Sequence, residues 1–185
     1  GFARIGYTQP LPQEGEMADW AYEEVTQAIQ HDLVPSDLQN QYYANITRGD
    51  FAIIVVQLLE VVSGKDIEDI VLEDTGKTLE ELALASPFSD TNSWDVVAAN
   101  ALGVINGRGE GIFDPYSAIS RQDAAALLMR MGKYMGKTDV DTSGETFADN
   151  ASVASYAQEA VAYVKALGVM NGTSETTFSP FDTYT

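Results

Sequence analysis

Two places in the chain set an arginine directly behind a hydroxyl residue and two positions ahead of a carboxylate: Thr47-Arg48-Gly49-Asp50 and Ser120-Arg121-Gln122-Asp123. A hydroxyl followed three residues later by an acid is a capping-box pattern, here with Asp where Glu or Gln is usual, so each tetrad reads as a helix start. An arginine one residue inside such a start adds its guanidinium to backbone N–H groups that lack helical partners and to the positive end of the helix dipole. The chemistry on offer is capture of a carboxylate by a fork of donors. The two indoles, Trp20 and Trp94, offer flat apolar faces with one polar N–H each.

Catalytic chemistry finds less support. His31 is alone, and the absence of cysteine excludes a thiol nucleophile, a disulfide framework and a zinc–thiolate site. No Gly-rich phosphate loop, Gly-x-Ser-x-Gly elbow or other cofactor motif is present. Carboxylate pairs of the glycosidase kind carry no weight here, because any chain with 28 acidic residues contains pairs. Asp139-Val140-Asp141-Thr142-Ser143-Gly144-Glu145 is similar to the start of a calcium loop, but Asn150 stands where the bidentate Glu belongs, so no metal is expected. The reading is a binding module, not an enzyme, with neither cofactor nor metal.

Charge narrows the partners. The formal net charge is −18, from 28 acidic and 10 basic residues. With no basic footprint to displace counterions, nucleic acid is excluded as the main partner, and so is adhesion to an anionic membrane surface. The longest apolar run, Phe51 to Leu59, is broken by Gln57 and is too short to span a bilayer. The first residues lack a signal-peptide layout, as in a processed secreted protein or a fragment.

The elements that must position the arginines come from repetition. Residues 101–107 read Ala-Leu-Gly-Val-Ile-Asn-Gly and residues 166–172 Ala-Leu-Gly-Val-Met-Asn-Gly, and the same offset relates Phe113-Asp114-Pro115 to Phe178-Ser179-Pro180. Phe88-Ser89-Asp90 and Phe147-Ala148-Asp149 precede them, with Asp90 and Asp149 as expected caps of the helices that follow. A fainter first copy matches Trp20-Ala21 to Tyr156-Ala157 and Ile46-Thr47-Arg48 to Ile119-Ser120-Arg121. Each copy reads as helix, turn-rich loop, helix, with Gly103 and Gly107 free to take positive φ. The second helices, apolar at Phe51, Ile54, Val55, Leu58 and Leu59 or at Ala125, Leu128 and Met129, are expected to be central and to pack on one another. Residues 66–86 carry seven acids among isolated apolar residues and read as a solvated, partly helical connector.

These ordered submotifs resemble the S-layer homology family, whose motif runs Phe-x-Asp, Trp-Ala, Gly-Ile-x-Gly, Phe-x-Pro and Ile-Thr-Arg-Ala-Glu. This chain departs from it at Gly49-Asp50 and Gln122-Asp123, and at Leu33-Val34-Pro35-Ser36 in place of the first turn. The resemblance implies a mainly α fold of three helix-loop-helix repeats in a pseudo-threefold arrangement about a central helical bundle. The organisation expected is a lead-in at 1–16, repeats at 17–63, 87–136 and 137–185, the last incomplete, and the acidic connector at 64–86. The implied function is non-covalent anchoring at a bacterial cell surface, outside the cell, by binding a secondary cell-wall polysaccharide, with a pyruvylated polymer as the expected partner.

Carried over by register, the implied ligand residues are Arg48 and Arg121 facing the acidic ketal, with Trp20 and Trp94 on the sugar surface and Thr47 and Ser120 at the same helix starts. The structural reading beside this has each arginine bridging to an acidic neighbour at a repeat junction, and Trp20 in the core with part of its ring exposed. A second functional reading is an extracellular protein–protein assembly module that keeps the fold without binding polymer. By register an arginine would follow Thr185, so the expectation is that further chain, other domains or a swapped partner chain supplies the missing helix.

Overall fold

A computed structural model describes residues 11–13 and 15–184, so most of the 1–16 lead-in lies outside the described residues. Seven α-helices follow in order: α1 (Asp19–Gln30), α2 (Arg48–Ser63), α3 (Ile67–Thr75), α4 (Leu79–Leu84), α5 (Trp94–Ala101), α6 (Arg121–Tyr134) and α7 (Gln158–Ala166). Two single 3-10 turns, Ser36–Leu38 and Asn150–Ser152, complete the regular structure. Only isolated β-bridges occur among the described residues, so the fold is mainly α, as expected.

The hydroxyl caps do locally what their spacing predicts. Thr47 accepts from the Asp50 backbone N–H and the Asp50 carboxylate accepts from the Thr47 N–H, a closed capping box. α2 then buries Ala52, Val55, Val56 and Leu59, the i, i+3, i+4, i+7 set of one helical face, and stops at left-handed Gly64. These second helices dock principally on the first helix of the following copy, α2 on α5 and α6 on α7, instead of on one another. α1 buries only Ile29 fully, with Val25 and Ala28 half-buried.

The acidic stretch 64–86 is not a solvated connector. It forms α3 and α4, which both pack on α5 and send Ile70, Val71 and Leu79 into the common core. Tyr134 on α6 donates from its hydroxyl to the Asp74 carboxylate at 2.6 Å, tying the stretch to a second element. Acid counts describe the outer face of a helix and say nothing of the few apolar residues that fix it.

Copy one adopts the backbone of its counterparts without their motif residues. Asp32 stands at φ 58°, where Gly103 and Gly168 stand at 72° and 66°. In each case the next residue's N–H returns to the carbonyl of the third-last helical residue in the same way: Leu33 to Ala28, Val104 to Ala99, Val169 to Val164. Gln41, Asp114 and Ser179 are likewise all left-handed, at φ 50°, 64° and 57°.

The segments leading into the second helices meet. Ile46 N–H donates to Tyr184 O at 2.8 Å and Ile119 N–H to Ile46 O at 3.0 Å, while Thr47 bridges Ala118 and Ser120 bridges Thr183. One segment from each copy therefore pairs with the other two.

Candidate functional site

Both motif arginines are buried, Arg48 at 5% and Arg121 at 9% exposure. Arg48 donates from Nε to Phe113 O at 2.9 Å and from Nη2 to Asn106 O at 3.0 Å, and its Cζ lies 4.8 Å from the Phe113 ring centroid. Arg121 repeats this one copy later: Nε to Phe178 O at 2.8 Å, Nη2 to Asn171 O at 2.5 Å and Cζ 4.8 Å from the Phe178 ring, with a further bond from Nη1 to the Tyr184 hydroxyl. Each guanidinium thus clamps the Asn-Gly turn and the Phe-x-Pro loop of the following copy. The partners are neutral carbonyls, not the acidic neighbours the structural reading anticipates. Burial lowers the Arg48 pKa, and the nearby positive charge of Arg108 lowers it further.

The helix starts are closed rather than open. Arg48 N–H donates to Ser117 O and Gly49 N–H to Pro115 O, both at 2.9 Å; Arg121 N–H donates to Asp182 O at 2.8 Å and Gln122 N–H to Pro180 O at 3.0 Å. With Thr47 and Ser120 taking the N–H groups of Asp50 and Asp123, the first turn of each helix has no donor left for a ligand. The departures from Ala-Glu fit this packing. A Cβ at Gly49 would sit 3.0 Å from Pro115 O, and the buried Gln122 accepts from Ala154 N–H through Oε1 at 3.0 Å.

Asp90 and Asp149 do not cap the helices after them; Ser93 caps α5, and α7 has no side-chain cap. Each carboxylate accepts two backbone N–H groups from the distant loop, Phe113 and Asp114 for Asp90, Phe178 and Ser179 for Asp149, at 2.7–2.9 Å. A left-handed residue turns two successive N–H groups the same way, and one carboxylate satisfies both. For Asp149 burial raises the pKa and these N–H groups more than offset it, so its pKa lies below the ordinary value; that of Asp90 is lowered chiefly by the Phe113 N–H. Gly107, in turn, has no positive φ. A Cβ there would meet the Phe88 ring at 2.6 Å and Ile112 O at 2.7 Å, so space requires this glycine.

A groove of about 410 Å³ opens between the start of α2, the turn at 106–108, α6 and Tyr156, lined by Arg48, Asn106, Arg108, Asp123, Arg130 and Tyr156 among others. Three of the chain's five arginines line it, against one carboxylate. Arg108 contacts Asp114 at 3.2 Å and Asp123 at 3.7 Å. Asp123 differs from its counterpart Asp50: its carboxylate faces the groove, where it accepts from the Tyr156 hydroxyl at 2.6 Å. Burial, then the Asp123 contact, push the Tyr156 pKa up to about 12, so the phenol remains a donor.

Trp20 is 78% exposed, not in the core, and Trp94 is 50% exposed as the first residue of α5; neither lines this groove. Its aromatic is Tyr156, which holds the register of Trp20. Arg108 and Arg130 were not evident from the motif. The signals for them are position: Arg108 directly follows the Asn-Gly turn, and Asp123, Ala126, Leu127 and Arg130 share one face of α6 at i, i+3, i+4, i+7 spacing.

Residues 87–125 and 146–183 match the family described as S-layer homology domain. These two segments are tandem S-layer homology repeats, a non-catalytic domain type that anchors proteins to the cell wall and implies association with the cell surface. The chain is also similar to an amylopullulanase of Thermoanaerobacterium thermosulfurigenes (25% identical over 88% of this chain) and to an exoglucanase, XynX, of Acetivibrio thermocellus (24% over 88%). An endoglucanase of a Bacillus strain matches at 28% over 57% of this chain. The matched regions make up 8%, 14% and 12% of those proteins, so the chain spans a small part of their length. No helix among the described residues is long and apolar enough to cross a membrane.

Proposed function

We propose that this chain is a non-enzymatic, extracellular anchoring module that holds a protein on a bacterial envelope by binding an acidic secondary cell-wall polysaccharide, with pyruvyl ketals as the acidic groups. On this reading residues 17–63, 87–136 and 137–185 are three repeats in pseudo-threefold relation, and polymer lies in the grooves between them. The carrying observation is the cationic groove: three guanidiniums against one carboxylate, gathered in one place in a chain of net charge −18. In such a field a local cationic spot is where an anionic polymer can dock. Arg48, from the capped start at Thr47, lines the groove, Arg121 repeats its contacts one copy later from the start capped by Ser120, and the exposed Trp20 and Trp94 offer sugar-stacking faces beyond it. The three similar proteins bear polysaccharide-hydrolase names, consistent with a module appended to larger secreted enzymes.

Co-sedimentation with purified sacculi tests this, before and after chemical removal of the non-peptidoglycan polymer. Binding that disappears with the polymer is the expected result. Equal binding to stripped sacculi, or none from folded protein, would sink the reading.

A second reading, a protein–protein assembly module, has its own observation. Tyr43, Tyr116 and Phe181, one per copy at equivalent positions three residues before Ile46, Ile119 and Tyr184, are all exposed. Recovery of a defined secreted protein partner, lost on changing these three to serine while sacculus binding is absent, would favour it.

A further inference from the structure

The groove's cations are not equivalent, and the difference says which of them a ligand meets. Arg48 has Nε and Nη2 committed to carbonyls and is almost wholly covered. Arg108 is partly open and bridges Asp114 and Asp123. Arg130 is half-buried in the same lining and makes no hydrogen bond or ion pair with any described residue. A partly desolvated guanidinium without an acceptor is unfavourable, and bringing it beside two others of the same sign is more so. The one lining carboxylate, Asp123, is already taken by Tyr156 and Arg108. The site therefore has fork-shaped donor capacity with no acceptor to match it.

We infer that Arg130, flanked by Arg108, receives the acidic group of the ligand in this groove, while the motif arginines Arg48 and Arg121 act as pins that lock each copy to the next. This rests on the polysaccharide-anchor reading and names the residues that make it specific for an acidic glycan. The ligand group is a carboxylate or a phosphate on a sugar, since either accepts two parallel N–H bonds from one guanidinium. The other copies lack both extra arginines. Gln57, seven residues after Asp50, holds the α2 position of Arg130 and gives its amide to Asp32 O; Thr173 holds the position of Arg108 in the next copy. One groove of this chain carries the extra pair, so one acidic ligand group binds per chain.

The test uses the full chain and four variants: Arg130→Gln, Arg108→Gln, Arg48→Lys and, as a distant charge control, Lys77→Gln on the exposed surface. Binding to polymer-bearing sacculi should fall about ten- to hundred-fold for Arg130→Gln, the effect of losing a charge-assisted contact, with the melting temperature of the free protein no lower than wild type. Lys77→Gln should bind as wild type, and Arg48→Lys should melt earlier yet bind normally while folded. Wild-type affinity in Arg130→Gln and Arg108→Gln, with binding lost in a fully folded Arg48→Lys, would overturn the assignment. Carboxyl-reduced sacculi separate the two sources: lost binding assigns a carboxylate, retained binding a phosphate.

A second measurement separates this inference from the anchor reading. At fixed ionic strength, saturating sodium pyruvate or sodium phosphate should raise the wild-type melting temperature by about 2–4 °C and leave Arg130→Gln unmoved. That result without sacculus binding removes the anchor and keeps the anion site. Equal shifts in both proteins, or none in either, remove the site.

Discussion

Replacing Arg48 with methionine should destabilise the fold by about 3 kcal/mol without disturbing helix α2. Methionine keeps the length and apolar body of the side chain and deletes its donors. Two carbonyls lose their hydrogen-bond partner, Phe113 O inside the core and Asn106 O at its edge. A buried acceptor left unsatisfied costs roughly 1–3 kcal/mol, and an acceptor near the surface costs less because water reaches it. The lost guanidinium–ring contact over Phe113 adds roughly 0.5–1 kcal/mol. Together these give about 3 kcal/mol, or a fall of roughly 6–12 °C in melting temperature for a domain of this size. Arg48→Lys should lose about half as much, because a single ammonium cannot serve two carbonyls on different loops. Urea denaturation reads this as a lower midpoint at constant slope. A change below about 0.5 kcal/mol, or a lysine variant as stable as wild type, would refute the claim that fork geometry, not charge alone, joins the copies.

Other expectations follow from the same geometry. Gly107→Ala should cost about 1–3 kcal/mol through its clash with the Phe88 ring and Ile112 O, and more than Gly103→Ala, where the penalty is only conformational; equal melting points would remove the steric argument. Asp149 has a folded-state pKa below its ordinary 3.8, so it stabilises the fold above that value and the contribution drains away as pH falls through the depressed one. Unfolding followed from pH 6 down to pH 2 should therefore show a loss of stability below about pH 4 that is shallower in Asp149→Asn, and identical slopes would contradict the paired N–H contacts. Leu79→Ala should cost about 2–5 kcal/mol if α4 belongs to the core, whereas a cost under 1 kcal/mol would restore α3 and α4 to the status of a solvated connector.

The parts of the fold that were legible are those written in short spacings. Thr47 and Ser120 cap helices that begin one residue later, because a hydroxyl and an N–H three residues apart need nothing beyond the chain itself. The copy-one turn was not legible, although Asp32 and Gln41 adopt the left-handed conformations of their glycine, Asp and Ser counterparts. Asp tolerates that region and Gln41 adopts it within a local turn closed by the Ala44 N–H, so conformation persisted where the motif had faded. The 64–86 stretch misled because its many acids outweighed Ile70, Val71 and Leu79 in composition, while burial depends on where residues point.

The site divides along the same line. Sequence alone determined that the chain repeats, that an arginine opens two of the helices, and that an acid lies three residues behind each hydroxyl cap. Tertiary structure alone decided where those groups look. Arg48 and Arg121 turn to carbonyls 50–65 residues away, Asp90 and Asp149 to N–H groups 23–30 residues away, and Asp123 leaves a box that Asp50 keeps closed because Tyr156 and Arg108 stand within its reach. A local hydrogen bond is set by backbone geometry over a single turn, so residue types reveal it. A bond between copies exists only once packing has fixed the distance, and that is why the groove holding Arg108, Arg130 and Tyr156 came into view with the assembled fold.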